Sequence, residues 1–248
     1  MTTVDPNSII LRYFDCRSRG QALRFAFVDS GMTFRDERVT IEEIPSFRES
    51  AQRGEVGAPF GALPQLEWKG VLIAQTLAIA SYLSEKLDLN GEDVPLEERA
   101  YREMVTNAAH LDMQSPFSQL LWLRVDCTDE RLRKSARALL EHLGAKGRQL
   151  EALLEARTRP GPFFGGERPA MPDYFVYESV SRTRDVFGDT FAKDVVNLPR
   201  LAEQAAAMAA RPAIRDFVAS GGVPYQVSGN PAERSLRERL PEVLSSRP

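Results

Sequence analysis

The chain is poor in cysteine, histidine and tryptophan, with two of each in 248 residues. Cys16 and Cys127 cannot build a disulfide framework, and such sparing use suits a reducing, intracellular setting. His110 and His142 lack the spacing of a zinc-ligating pair, so no metal is expected. There is no basic excess. Net charge is −3, which argues against a nucleic-acid partner. Apolar runs fall short of the roughly 20 residues a membrane helix needs, so no membrane contact is expected. The opening Met1-Thr2-Thr3-Val4-Asp5-Pro6 has neither a basic start nor an apolar core, and no signal peptide is expected. The glycines of Gly54-Glu55-Val56-Gly57 and Phe164-Gly165-Gly166 lack the strand–turn–helix setting of a dinucleotide site, and no solenoid-length repeat is present. Hydrophobic residues at 43% and charged residues at 27% are ordinary for a globular protein.

Against these absences, residues 60–83 are dense with signals. Phe60-Gly61-Ala62-Leu63-Pro64 leads into Gln65-Leu66-Glu67-Trp68, the turn Lys69-Gly70, Val71-Leu72-Ile73-Ala74, and then a helix from Gln75 to Lys86. Proline cannot donate to a sheet ladder, so Pro64 at the mouth of a strand suits a cis bond that leaves backbone groups free for a bound peptide. Gln75 and Thr76 at a helix start make an anion site. Together they describe a socket for a small peptide with a carboxylate.

Upstream, Ile9–Phe14 is apolar enough for a buried strand, 19–30 carries a broad apolar helix face stopped by Gly31, and 34–40 alternates like a second strand. Strand, helix, strand implies a parallel pair with a right-handed crossover. The polar stretch 89–95 has the composition of a linker. Beyond it the pattern is helical: 96–124 with an interruption at Pro116, 129–157, 172–186, 198–209 and 212–219. The tail 223–248 is expected to be partly disordered, with one short helix near 231–240. The fold class is thus α/β plus all-α. A thioredoxin-like domain spans 8–88, a linker 89–95, a helical bundle 96–222 and a tail 223–248.

Over residues 8–220 the chain resembles the cytosolic glutathione transferases. Tyr13-Phe14-Asp15-Cys16-Arg17-Ser18-Arg19-Gly20-Gln21 resembles the segment that carries the catalytic tyrosine in Sigma-like and Mu-like classes. Phe60–Pro64 resembles the cis-proline segment. Gln75–Ala80 resembles the γ-glutamyl-binding helix start, where most relatives carry Ser in place of Thr76. The resemblance implies a cytoplasmic, homodimeric detoxification enzyme with glutathione as co-substrate and a small hydrophobic electrophile as partner. Conjugation, thiol-dependent isomerisation and peroxide reduction all share its thiolate step. It makes Tyr13 the donor to the glutathione sulfur and Arg19 its electrostatic neighbour. Leu63, presented by Pro64, pairs with the cysteinyl backbone, Gln75 and Thr76 hold the γ-glutamyl carboxylate, and Arg48 holds the glycyl carboxylate.

Departures are visible. Sigma-like enzymes often have Trp near Ile44 and Lys near Ala62, so the glycyl end is expected to be held more weakly. Asp112, in His110-Leu111-Asp112, is the chemical match for an aspartate that reaches glutathione across a dimer, with its register off by about one. Ala170 replaces the usual Ser or Thr cap before Asp173, leaving the capping box incomplete. Two other functions stand beside the main one: a non-catalytic binding or structural protein of the same fold, and a thiol transferase that uses Cys16 near a helix start.

Overall fold

The computed structural model describes residues 9–56, 59–90 and 94–246. The opening Met1–Pro6, Gly57 and residues 91–93 of the expected linker lie outside the described residues.

The chain opens with β1 (Ile9–Phe14), α1 (Gln21–Ser30) and β2 (Arg35–Val39), followed by α2 (Ile44–Gln52). Next come β3 (Gln65–Trp68), β4 (Val71–Ala74) and α3 (Thr76–Lys86). The sheet order is β2-β1-β3-β4. β1 and β2 pair in parallel, as expected for strands joined by a helical crossover, while β3 runs antiparallel to both β1 and β4. β1 is central because its side chains are almost all apolar and buried. Lys69 (φ 49°) and Gly70 (φ 81°) are both left-handed, which is the turn that matches the twist of a two-residue hairpin. α1 buries Ala22, Leu23, Phe25, Ala26 and Phe27 and stops at Gly31, whose φ of 70° suits a residue without Cβ.

The helical part comprises α4 (Leu96–Asn107), α5 (Phe117–Leu121), α6 (Asp129–Ala156), α7 (Met171–Val196), α8 (Pro199–Ala209), α9 (Pro212–Ala219) and α10 (Glu233–Ser245). The interruption expected at Pro116 is present: α4 widens into a π-helical turn over Ala108–Gln114, and Pro116 then sits just ahead of α5, where its missing N–H costs nothing. Two expectations are corrected. α7 runs ten residues beyond the expected end at 186, to Val196, broken at Gly188 (φ 72°). The tail is structured as far as Ser246. α10 buries Leu236, Leu240, Val243 and Leu244, and Arg133 of α6 donates to the Val243 carbonyl at 2.9 Å.

Asp173 supplies the surviving half of the α7 cap. Its carboxylate accepts the N–H groups of Ala170 (2.9 Å), Phe164 (2.8 Å) and Gly165 (3.2 Å). Ala170 has no side-chain acceptor to answer it. One apolar cluster runs from the sheet through α1 into α6 and α7, with the Phe25 and Tyr177 rings 5.1 Å apart. A smaller cluster of Tyr13, Cys16 and Leu63 lies beside the site. No helix among the described residues is long and apolar enough to cross a membrane.

Candidate active site

A cavity of about 350 Å³ lies between the C-terminal end of β1, α2, the segment before β3 and the helical part. Tyr13, Arg19, Arg48 and Leu63 all line it. Pro64, Gln75 and Thr76 are not among the residues that line it. The Leu63–Pro64 bond is cis, as the sequence suggests, and the ladder starts only at Gln65. Gln75 takes a left-handed φ of 75° just before α3 and is exposed. The buried Thr76 hydroxyl donates to the Arg19 carbonyl at 3.4 Å, tying α3 to the loop after β1.

Tyr13 is 4% exposed, and its phenol oxygen accepts the Arg19 N–H at 3.2 Å. Burial, with the nearby Cys16, pushes its pKa up to about 12; the Ser18 hydroxyl, the Arg19 amide and the Arg19 charge pull the other way without winning. The phenol is therefore a proton donor at neutral pH. Arg19 contributes chiefly through its main chain, since its side chain is exposed. Arg48 is turned across the cleft, its guanidinium 5.8 Å from the centre of the Trp122 ring. Asp112 is paired within its own chain, 3.0 Å from Lys146. Cys16 is 1% exposed and burial pushes its thiol up to about 12, so it stays a thiol. Among the described residues, no three His, Cys, Asp or Glu side chains gather as a metal-holding set.

Several residues at the cavity were not read as functional from the sequence. His110, taken as structural or solvated, lines the cavity, as do Gln114, Arg182, Val227 and Ser228. His110 is buried, which pushes its pKa down to about 4, against the hydrogen bond to Gln114 (3.2 Å). Arg182 donates to the Ser18 carbonyl at 2.6 Å and to Glu178 at 2.8 Å. Glu178 also holds Arg17 at 2.9 Å, and Arg17 reaches Asp185 as well. Burial works against the Glu178 charge, but the two guanidiniums outweigh it and hold the carboxyl below its usual value. The tail closes the wall: the Arg17 and Ser18 amides donate to the carbonyls of Gln226 (2.9 Å) and Val227 (2.8 Å). One signal was available. Glu178 interrupts the apolar run Tyr174–Val180 and Arg182 follows it at i+4, and charges at such places must find each other.

The family described as "Glutathione S-transferase, C-terminal domain" matches residues 111–221. The chain is 23% identical over 211 residues to Glutathione S-transferase P 1 of Xenopus laevis, covering 85% of this chain and 92% of that one. Among solved structures it is similar to the Pi-class glutathione S-transferase of Onchocerca volvulus, with a TM-score of 0.70 at 22% identity over 90% of this chain and 99% of the other. It is also similar to monomeric Na-GST-3, a glutathione S-transferase from the hookworm Necator americanus, with a TM-score of 0.70 at 21% identity over 86% and 97%. A thioredoxin-like domain followed by a helical one, a matching C-terminal domain and these relatives together support placing the chain in the glutathione S-transferase superfamily.

Proposed function

We propose that this chain is a glutathione transferase of the tyrosine type, with a Sigma/Mu-like N-terminal segment. One observation carries this: the Tyr13 phenol lines the cavity, where it accepts the Arg19 amide and has the Ser18 hydroxyl beside it. A neutral phenol so placed donates to a thiolate. Hydrogen bonding to the charged form lowers a thiol pKa and raises the nucleophilic fraction at neutral pH. Such a donor is worth most where charge is fully developed. Glutathione supplies the thiol; the sulfur attacks an electrophilic carbon held in the rest of the cavity.

On this proposal the Leu63 main chain, outside the ladder and next to Pro64, pairs with the cysteinyl unit. Gln75 and Thr76 hold the γ-glutamyl carboxylate at the start of α3, where backbone N–H groups and the helix dipole favour an anion. Arg19 adds positive potential. The placement of Arg48 over Trp122 favours the opposite side of the cavity over the glycyl end. The protein is taken as a cytoplasmic homodimer acting in detoxification. Its domains are 8–88 and 96–222, joined by 89–95 and followed by the tail 223–248. In such a dimer Asp112 reaches a second site only by releasing Lys146.

Calorimetric titration with glutathione, paired with rates on chloro-dinitrobenzene, tests the proposal. Saturable heat and turnover are expected, and both are to survive in Cys16→Ser. Binding without turnover indicates a non-catalytic protein of this fold. Absence of both overturns the proposal, and loss of activity in Cys16→Ser alone moves the chemistry to the thiol.

A further inference from the structure

Resting on the transferase reading, we propose that the second substrate is a flat electrophile bearing a carboxylate, seated on Trp122 with its anionic group on Arg48. Three arginines line the cavity, Arg19, Arg48 and Arg182, and no Asp or Glu among the described residues does. This holds in a chain whose net charge is −3. Arg182 is neutralised from behind by Glu178. Arg19 and Arg48 have no carboxylate partner among the described residues, so their charge is left for ligands. Glutathione brings two carboxylates of its own, and the start of α3 offers one of them a place away from Arg48.

The Arg48–Trp122 pair points to what is left over. Arg48 comes from α2 and Trp122 from the end of α5, so the pair spans the cleft, with the guanidinium 5.8 Å from the ring centre. Trp122 is 47% exposed. A half-exposed indole with a guanidinium beside it receives a planar molecule by stacking and its carboxylate by charge-assisted hydrogen bonds. The neighbouring walls fit the rest of such a molecule: Phe14, Phe47 and Phe117 are apolar, and Ser115 and Ser118 are the nearby hydroxyl-bearing residues. For a chloro-nitrobenzoate, the sulfur–carbon bond forms as the carbon–chlorine bond breaks. Chloride leaves with the electron pair, and no oxidant or reductant is required.

A chloro-nitrobenzoate and its methyl ester, which differ by one charge, provide the test. The wild type is expected to favour the acid in KM by about fivefold, less at high salt because the pair is partly exposed. Arg48→Met is expected to raise the KM of the acid by about fivefold more than that of the ester, so that the preference for the acid is lost. Trp122→Leu is expected to weaken both aromatic substrates. Calorimetric binding of nitrobenzoate against its methyl ester, both unreactive, reads the same preference without turnover; it stays decisive even if the protein proves inactive. Equal affinity for acid and ester in the wild type overturns the proposal. So does a glutathione KM that rises in Arg48→Met with the acid-to-ester ratio unchanged, since Arg48 would then serve the glycyl carboxylate.

Discussion

On the sheet side of the cavity, Tyr13, Arg19 and Leu63 come from the end of β1, the loop after it and the approach to β3. On the helical side, His110, Gln114, Trp122, Arg182 and Val227 come from a π-turn, the end of α5, the middle of α7 and the tail. The first wall is assembled by a strand ladder and tight turns, interactions between residues near in sequence or paired in register. The second exists only once long helices have packed. The two are joined through buried charge: Glu178 of α7 binds Arg17 from the sheet side, 161 positions away in sequence, and also Arg182, which reaches back to the Ser18 carbonyl. A site made this way can keep its chemistry on one wall and vary its substrate on the other.

The largest effect is expected where the walls meet. Glu178→Gln leaves Arg17 and Arg182 buried without their shared carboxylate, and removing one partner of a buried ion pair costs about 3–5 kcal/mol. Urea denaturation should show a loss of that size. A loss under about 1 kcal/mol would mean that water reaches the cluster and that the walls are held independently.

Tyr13→Phe separates chemistry from architecture. The phenol's partners are the Arg19 amide and the Ser18 hydroxyl, so stability should move by about 1 kcal/mol. Loss of a preorganised donor to developing charge is expected to lower kcat by about 10²-fold, with the ultraviolet absorbance of bound thiolate lost in parallel. Intact thiolate absorbance in this variant would take the donor role away from Tyr13.

Much of the sheet-side wall was legible in the sequence, and little of the helical side was. Ile9–Phe14, Lys69-Gly70 and Leu63-Pro64 each carry a local rule that tertiary packing does not override. Helix existence was also legible for 129–156, whose apolar residues recur along one face. The π-turn at 108–114 was not, because one extra residue per turn leaves no composition signal. The tail helix, expected near 231–240, instead runs through Pro241 to Ser245 and buries Val243 and Leu244. Its arginines and glutamates also hid an apolar stripe that has meaning only against α6. Arg182 was missed for a related reason: its contact is with Ser18, far away in sequence in the loop after β1.

A pH comparison sharpens the contrast further. His110 is pushed by burial from 6.5 to about 4 in the folded protein; the Gln114 bond opposes this, while the charges of Arg182 and Arg19 reinforce it. The unfolded chain therefore binds the proton more readily. The contribution is fully present above pH 6.5 and is lost as pH falls toward 4. The helical wall should lose about 2 kcal/mol from this group across that window. His110→Gln should give a flatter stability curve between those pH values, whatever its stability at neutral pH. Identical slopes for the two proteins would show that His110 is hydrated and titrates normally.

The smallest expected effect concerns the tail, and it tests whether the helical wall is tuned separately. The buried Glu233 carboxylate accepts the N–H groups of Val227 and Ser228, both at 2.8 Å, and the Ser228 hydroxyl. These bonds set the strand of tail whose carbonyls in turn hold Arg17 and Ser18. Glu233→Gln keeps one acceptor oxygen and loses the charge, so about 1 kcal/mol of stability should go. Amide exchange at Val227 and Ser228 should quicken before any global loosening, because the tail can open without the sheet. The electrophile KM should rise while the absorbance of bound thiolate stays constant, since Tyr13 and Leu63 belong to the other wall. If that absorbance falls together with the exchange protection, the tail sets the position of the loop after β1 as well, and the division between a chemical wall and a substrate wall fails at Ser18.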